Sequence, residues 1–383
     1  MSTPSAERGQ VWLRLIDGYV GIPLVLVLGA RPKKRLLPAF STLGLLQTAA
    51  IGDTVLMSGL LVDLRRSFPD VRIVLFTGPS NYPIAQLLKG PDEVVKLPVD
   101  NPLQAVRILR SNRVEVLCDF GPWPRLNAVC AALSGARFLI GFRTSGEYRH
   151  YAYDRAVDHS ARVHELENQR ALIRALGVES TSRPSLKVDV PVPRGLSSKS
   201  YLVFHAWPAG YRAYLKEWPS SYWVKLGDGV RPLGYSVVLT GGASDVKQTE
   251  ALRSCLEPCL GKSVVSFAGK ASLPETIGIL RAAAAVISVN TGIVHLAAAV
   301  ETPVISLNGP TDSVRWGPIG PNSISIDAEG PDCGYLNLGF EYRGHREDCM
   351  STIRPERVLE ALRRVLTPPA AVESTGVCAA NPA

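Results

Sequence analysis

Short apolar runs alternate with amphipathic stretches along most of this chain. Residues 43–49, 71–77 and 114–118 read as strands, the second with clear β-branched content. Residues 53–67, 102–110 and 125–133 read as helices; in the first, Val55, Leu56, Leu60 and Leu64 fall near one face. The rhythm breaks at 188–200, which is rich in Pro, Ser and Gly, and then restarts. In the second half 201–205, 236–240, 264–267, 286–289 and 304–307 read as strands, and 221–230, 245–256, 273–282, 295–299 and 355–366 as helices. This alternation predicts parallel sheets covered by helices on both faces. The domains are placed at 36–190 and 201–353, with a linker at 191–200 and a C-terminal helix at 354–367. Residues 1–10 and 368–383 read as loose tails. Two such halves form a cleft, and ligands bind at the carboxyl ends of their strands.

Composition narrows the classes. The chain has 383 residues, enough for two cores, and its 46% hydrophobic and 20% charged content describes an ordered globular protein. A net charge of +8 suits anionic partners such as sugar nucleotides or anionic lipid surfaces. The basic residues are scattered and not interleaved with aromatics, which argues against nucleic acid. Seven cysteines without a CxxC pair argue against a disulfide framework or a zinc site and fit a reducing cytosol. Cys333 and Cys349 are read as two separate buried thiols. The most apolar stretch, 18–30, is too short to span a bilayer and contains Pro23. Its basic residues Arg31, Lys33, Lys34 and Arg35 follow the apolar run, unlike a signal peptide. Residues 1–35 therefore read either as an anchor to an anionic membrane face or as a helix packed on the first domain.

Four segments fall where chemistry would sit. Ile51-Gly52-Asp53-Thr54 opens a helix; Asp53 reads as a general base or as a plain N-cap. Lys216-Glu217-Trp218-Pro219 offers a cation for a departing diphosphate, or a surface lysine beside core tryptophans. Leu239-Thr240-Gly241-Gly242 ends a strand in two glycines, which lets a ligand touch main chain or simply makes a turn. Asn290-Thr291-Gly292, with His295 beyond, is a strand end feeding a helix N-terminus, a ready phosphate site. There is no Asp-x-Asp, HExxH, GxSxG or Walker A sequence, so Lys, His and helix dipoles would replace a metal as phosphate counter-charge.

In order, these segments resemble glycosyltransferase family nine, the bacterial heptosyltransferase family. The matching stretches are Ile51-Gly52-Asp53, Arg65-Arg66-Ser67-Phe68-Pro69, Gly141-Phe142-Arg143, Lys216-Glu217-Trp218-Pro219, Leu239-Thr240-Gly241-Gly242, Ala268-Gly269-Lys270-Ala271-Ser272-Leu273, Asn290-Thr291-Gly292-Ile293-Val294-His295 and Asn308-Gly309-Pro310-Thr311. The resemblance implies a GT-B fold of two Rossmann-like domains facing across a cleft, and inverting sugar transfer without metal or cofactor. It implies Asp53 as base and Gly52 and Arg143 on the acceptor side. Lys216, Thr240, Gly241, Gly242, Asn290, Thr291, Gly292 and His295 would lie on the donor side. The implied substrates are a nucleotide sugar, ADP-heptose among the candidates, and a lipid-linked or lipopolysaccharide acceptor. The implied location is the cytoplasm, with the inner-membrane face as a partner surface. Asn290 stands where many members carry Asp, and Gln47 where some carry a basic residue. The first forty residues have no counterpart in compact members. An epimerase or hydrolase on the same scaffold, or a non-catalytic nucleotide-sugar binder, are the other readings.

Overall fold

The computed structural model describes residues 11–34, 39–190, 192–342 and 344–367. The two tails, Arg35, Pro191 of the linker and Cys378 lie outside these residues.

The first sheet contains β1 (Thr42–Gln47), β2 (Arg72–Thr77), β3 (Glu93–Lys96), β4 (Val116–Asp119), β5 (Phe138–Arg143) and β6 (Arg155–Asp158). All its neighbours pair in parallel, in the order β3-β2-β1-β4-β5-β6. Its helices are α1 (Val11–Gly29), α2 (Ile51–Ser67), α3 (Tyr82–Ala85), α4 (Pro102–Ser111), α5 (Arg125–Leu133) and α6 (Glu165–Arg174). The second sheet contains β7 (Tyr201–His205), β8 (Ser236–Leu239), β9 (Val264–Ser266), β10 (Ala285–Val289), β11 (Val304–Asn308) and β12 (Ser323–Asp327). It runs β12-β11-β10-β7-β8-β9, again parallel. Its helices are α7 (Ser220–Val230), α8 (Val246–Leu260), α9 (Leu273–Ala282), α10 (Gly292–Ala299), α11 (Ser313–Trp316) and α12 (Pro355–Leu366).

Read from its own first strand, the second sheet repeats the order of the first, 3-2-1-4-5-6, the doubly wound arrangement. Inner strands such as β4, β7, β10 and β11 are buried throughout, which explains their mostly apolar composition without strict alternation. The edges are short and charged, as in Glu-Val-Val-Lys of β3 and Arg-Ala-Val-Asp of β6, which discourages pairing with another chain. One apolar core runs from Leu45 and Leu60 of the first domain to Val294 and Val304 of the second. The backbone bond from Leu186 N to Ala299 O (2.9 Å) stitches the same seam.

Two expectations are corrected. Cys333 and Cys349 are not separate thiols: they form a disulfide, their Cα atoms 5.8 Å apart. Their separation of 16 residues carries no motif, and only the folding back of the 333–349 loop brings them within bonding geometry. Pro23 does not interrupt the apolar segment, because α1 continues through it. That helix packs on α5 and on the 3-10 turn Arg149–Ala152. The residue before α5 is Pro124, which has no side chain able to cap. Asp17 of α1 fills the role, its carboxylate accepting from Arg125 N (3.1 Å) and Leu126 N (3.0 Å) while pairing with the Arg125 guanidinium (3.0 Å).

Candidate active site

In each sheet the strand order reverses at the first strand, between β1 and β4 and between β7 and β10. The helices that follow β1 and β10, α2 and α10, begin at these crevices and touch at their first turns. Gly52 and Gly292 allow the approach. A Cβ on Gly52 would lie 2.7 Å from His295 Cδ2, and one on Gly292 would lie 3.2 Å from Gly52 N. Two helix starts, one from each domain, each with the positive end of its dipole, thus meet in one place.

Asp53 lies in the first turn of α2. The helix starts after Ala50, so Asp53 is not the N-cap, and that plain reading is set aside. The residue is 6% exposed and lies close to the positive end of the helix. Its main-chain carbonyl accepts from Gln169 Nε2 of α6 at 3.0 Å. The N-cap of α6, His164, crosses between the domains. Its Nδ1 accepts from Leu166 N (3.1 Å), so the proton sits on Nε2, which donates to Gly317 O (2.8 Å).

His295 stands edge-on to His164, ring centres 6.3 Å apart. Burial, with the neighbouring His164 adding to it, pulls the His295 imidazole down to about 3. It is therefore a neutral donor–acceptor. Its Nδ1 is buried with no hydrogen-bond partner among the described residues. Thr291 caps α10, its hydroxyl accepting from Ile293 N at 3.2 Å.

On the second domain, Lys216 ends the 3-10 turn Ala213–Lys216, with Nζ donating to Ala209 O at 3.0 Å. Trp218 and Trp223 pack edge-on (5.0 Å) and tie this loop to α7, and Trp218 Nε1 donates to Ile353 O. Thr240 is buried and bonded to His205 Nδ1 (2.9 Å), whose ring burial pulls down to about 4. The Gly241-Gly242 turn wraps Asp245, whose carboxylate already accepts from Gly242 N (2.8 Å). Asn290 is spoken for in a different way. Its amide donates to Asn308 Oδ1 (2.8 Å) and Trp316 O (2.9 Å), joining β10, β11 and α11. A carboxylate there would set oxygen against oxygen, so in this chain the departure from Asp has a structural partner set. Arg143, at the end of β5, is exposed and pairs with Asp158 at the end of β6 (3.2 Å), two strands away from β1.

Sequence reading missed a buried cluster beside the site. Glu165 of the first domain pairs with Arg315 of the second, and each lies 3.1 Å from His159 Nε2, which donates to the carboxylate or accepts from the guanidinium according to its tautomer. Burial alone would raise the Glu165 carboxyl, but the His159 bond and the Arg315 charge hold it well below its ordinary value. Two histidines and a glutamate within seven residues, at 159, 164 and 165, were the available signal. Among the described residues, no group of three or more His, Cys, Asp or Glu is placed to hold a metal ion.

The chain is similar in sequence and fold to known proteins. Residues 126–333 match the family model for glycosyltransferase family 9 (heptosyltransferase). Lipopolysaccharide heptosyltransferase 3 of Escherichia coli K12 is 26% identical over 340 residues, covering 82% of this chain and 95% of that protein. Lipooligosaccharide heptosyltransferase 2 of Haemophilus influenzae is 31% identical over 151 residues, 39% of this chain and 43% of that protein. Among solved structures, the E. coli ADP-heptose heptosyltransferase II superposes with a TM-score of 0.66 at 19% identity, covering 85% of this chain and 98% of that one. Two like-ordered sheets facing across a GT-B cleft, matched by the family model over more than half the sequence, make this chain a member of glycosyltransferase family 9, the heptosyltransferase family.

Proposed function

We propose that this enzyme transfers a heptose from ADP-heptose to a hydroxyl of a lipopolysaccharide core or another lipid-linked glycan, with inversion and without a metal ion. The observation that carries the reading is the meeting of α2 and α10 at Gly52 and Gly292. It brings the start of the helix that carries the buried Asp53 in one domain against the Thr291-Gly292 helix start of the other, which supports a reading of Asp53 as base and of that helix start as a phosphate site. The donor is suggested by the solved relative described as an ADP-heptose heptosyltransferase.

In this mechanism the Asp53 carboxylate takes the proton of the acceptor hydroxyl. The oxygen attacks the anomeric carbon from the face opposite the diphosphate; the new C–O bond forms as the bond to the diphosphate oxygen breaks, and ADP departs with the electron pair. One carboxylate and a single displacement give inversion. Charge on the leaving diphosphate is met by Lys216, by the amides at Thr291-Gly292 and by a neutral N–H of His295, whose unpartnered Nδ1 suits a ligand contact. Thr240, Gly241 and Gly242 line the donor side at the end of β8.

The test is steady-state transfer with donor titration. Asp53→Asn is expected to lower kcat by roughly 10²–10⁴ while ADP affinity by calorimetry stays near wild type. Lys216→Ala is expected to weaken ADP binding as well. Undiminished turnover in Asp53→Asn removes Asp53 from the mechanism, and unchanged nucleotide affinity in Lys216→Ala displaces the donor site.

A further inference from the structure

A helix on the surface of a soluble domain turns its polar side to water and its apolar side inward. α1 departs from this: its outward side is apolar too. Along its described side chains the outward half is formed by positions 15, 16, 19, 20, 23, 24, 26 and 27, all exposed and all apolar or aromatic. Tyr19 is 79% exposed and Val27 73%. The two charges of this stretch, Arg14 and Asp17, lie on the inward half, where Asp17 caps α5. Gly21 and Val25 complete the packed side. The large exposed hydrophobics of the first domain thus concentrate on one element, against the general tendency to scatter them.

The C-terminal end of this face is dressed for a headgroup layer. Lys33 and Lys34 are exposed just beyond the helix. The segment is fixed rather than trailing: Lys33 Nζ donates to Tyr151 O (2.6 Å), Lys34 N to Asp154 Oδ1 (3.0 Å), and Arg31 pairs with the buried Asp154. Tyr148 and Tyr151, each about half exposed, flank the helix, the kind of side chain that settles at a membrane–water boundary. None of the described helices is long and apolar enough to cross a membrane.

From these features we infer that the outward face of α1 lies in the plane of an anionic lipid monolayer, with Leu15, Ile16, Tyr19, Val20, Leu24 and Val27 in the acyl boundary and Lys33 and Lys34 at the headgroups. The first turn of α1 also touches the seam between the domains. The Arg14 guanidinium stacks on Phe340 of the second domain (3.6 Å), and Phe340 packs edge-on against Trp123 of the first (5.4 Å). A chain seated on α1 therefore holds this seam near the lipid surface. The link to an acceptor delivered from that surface rests on the proposed function; the docking itself does not.

The test is flotation of the full chain with vesicles of phosphatidylcholine, with and without phosphatidylglycerol, in the absence of donor and acceptor. Wild type is expected to float with the anionic vesicles, less with neutral ones, and less as salt is added. The double variant Val20→Asp/Val27→Asp is expected to partition at least about tenfold more weakly, with unchanged circular dichroism because both residues are exposed. Wild type that fails to float overturns the inference; a second copy of the chain or residues 368–383 covering the face would give that result, and sedimentation of the free protein separates the two. A double variant that floats like wild type overturns it equally. Because the vesicles carry no substrate, the outcome is independent of the Asp53 test.

Discussion

At the scale of single residues, burial decides the chemistry of the two histidines on the donor side. His295 and His205 sit at about 3 and about 4, both below the ordinary value of 6.5, because the desolvated ring disfavours charge. Neither titrates near neutrality, so any donor contact by His295 is a neutral one. The folded state then binds fewer protons than the unfolded state between those values and 6.5. Stability from these groups is fully present above about pH 6.5 and is lost as pH falls towards 3–4. The midpoint of thermal unfolding is expected to drop across this window in wild type and less steeply in His295→Gln, followed by scanning fluorimetry from pH 7 to 4. Parallel slopes in the two proteins would mean that His295 is not held neutral by the fold. Asn290 shows the same logic without titration: its amide is chosen by two facing acceptors, Asn308 Oδ1 and Trp316 O.

At the scale of elements, α1 and α5 form a unit that local sequence does not announce. Pro124 cannot cap α5, and the missing acceptor arrives from Asp17, 108 residues away in sequence. Asp17→Ala is expected to destabilise the protein by about 1–2 kcal/mol, the range of a lost helix cap, with Arg125 keeping its second partner Glu147. Urea unfolding measures the loss, and hydrogen exchange should locate it in the first turn of α5. Edge strands tell the converse story. β3 and β6 have four residues each and carry charges at both ends, so apolar periodicity passes over them. The pattern passes over α6 too, because its polar first turn hides a buried face that holds Gln169 against Asp53.

At the scale of the molecule, the two domains are held together by contacts with high energetic stakes. Glu165 and Arg315 form a buried interdomain ion pair, and Arg315 Nε also donates to Asn337 (2.8 Å) in the loop stapled by Cys333–Cys349. Removing one partner leaves the other charge buried, which costs about 3–5 kcal/mol. Arg315→Met is therefore expected to lower unfolding stability by that order and to widen the cleft, seen as a larger radius of gyration in solution scattering. The double variant Glu165→Gln/Arg315→Met should be less destabilised than the sum of the single changes, since no charge is left stranded. Additive losses would mean that the pair does not act as a unit.

Sequence alone determined the alternation of strands and helices, the two-sheet class and the short motifs, because each is a local property. Periodicity of burial and glycine at a strand-to-helix turn are written within a dozen residues. The tertiary structure decided which motifs meet. It joined Gly52 to Gly292, paired Cys333 with Cys349, set Glu165 against Arg315, and turned the apolar side of α1 outward. Each of these depends on segments that come together only through the fold. No local pattern encodes them: the interdomain contacts exist only once both sheets have formed, the disulfide only once the 333–349 loop folds back, and the outward face of α1 only once α5 and the 149–152 turn cover its other side.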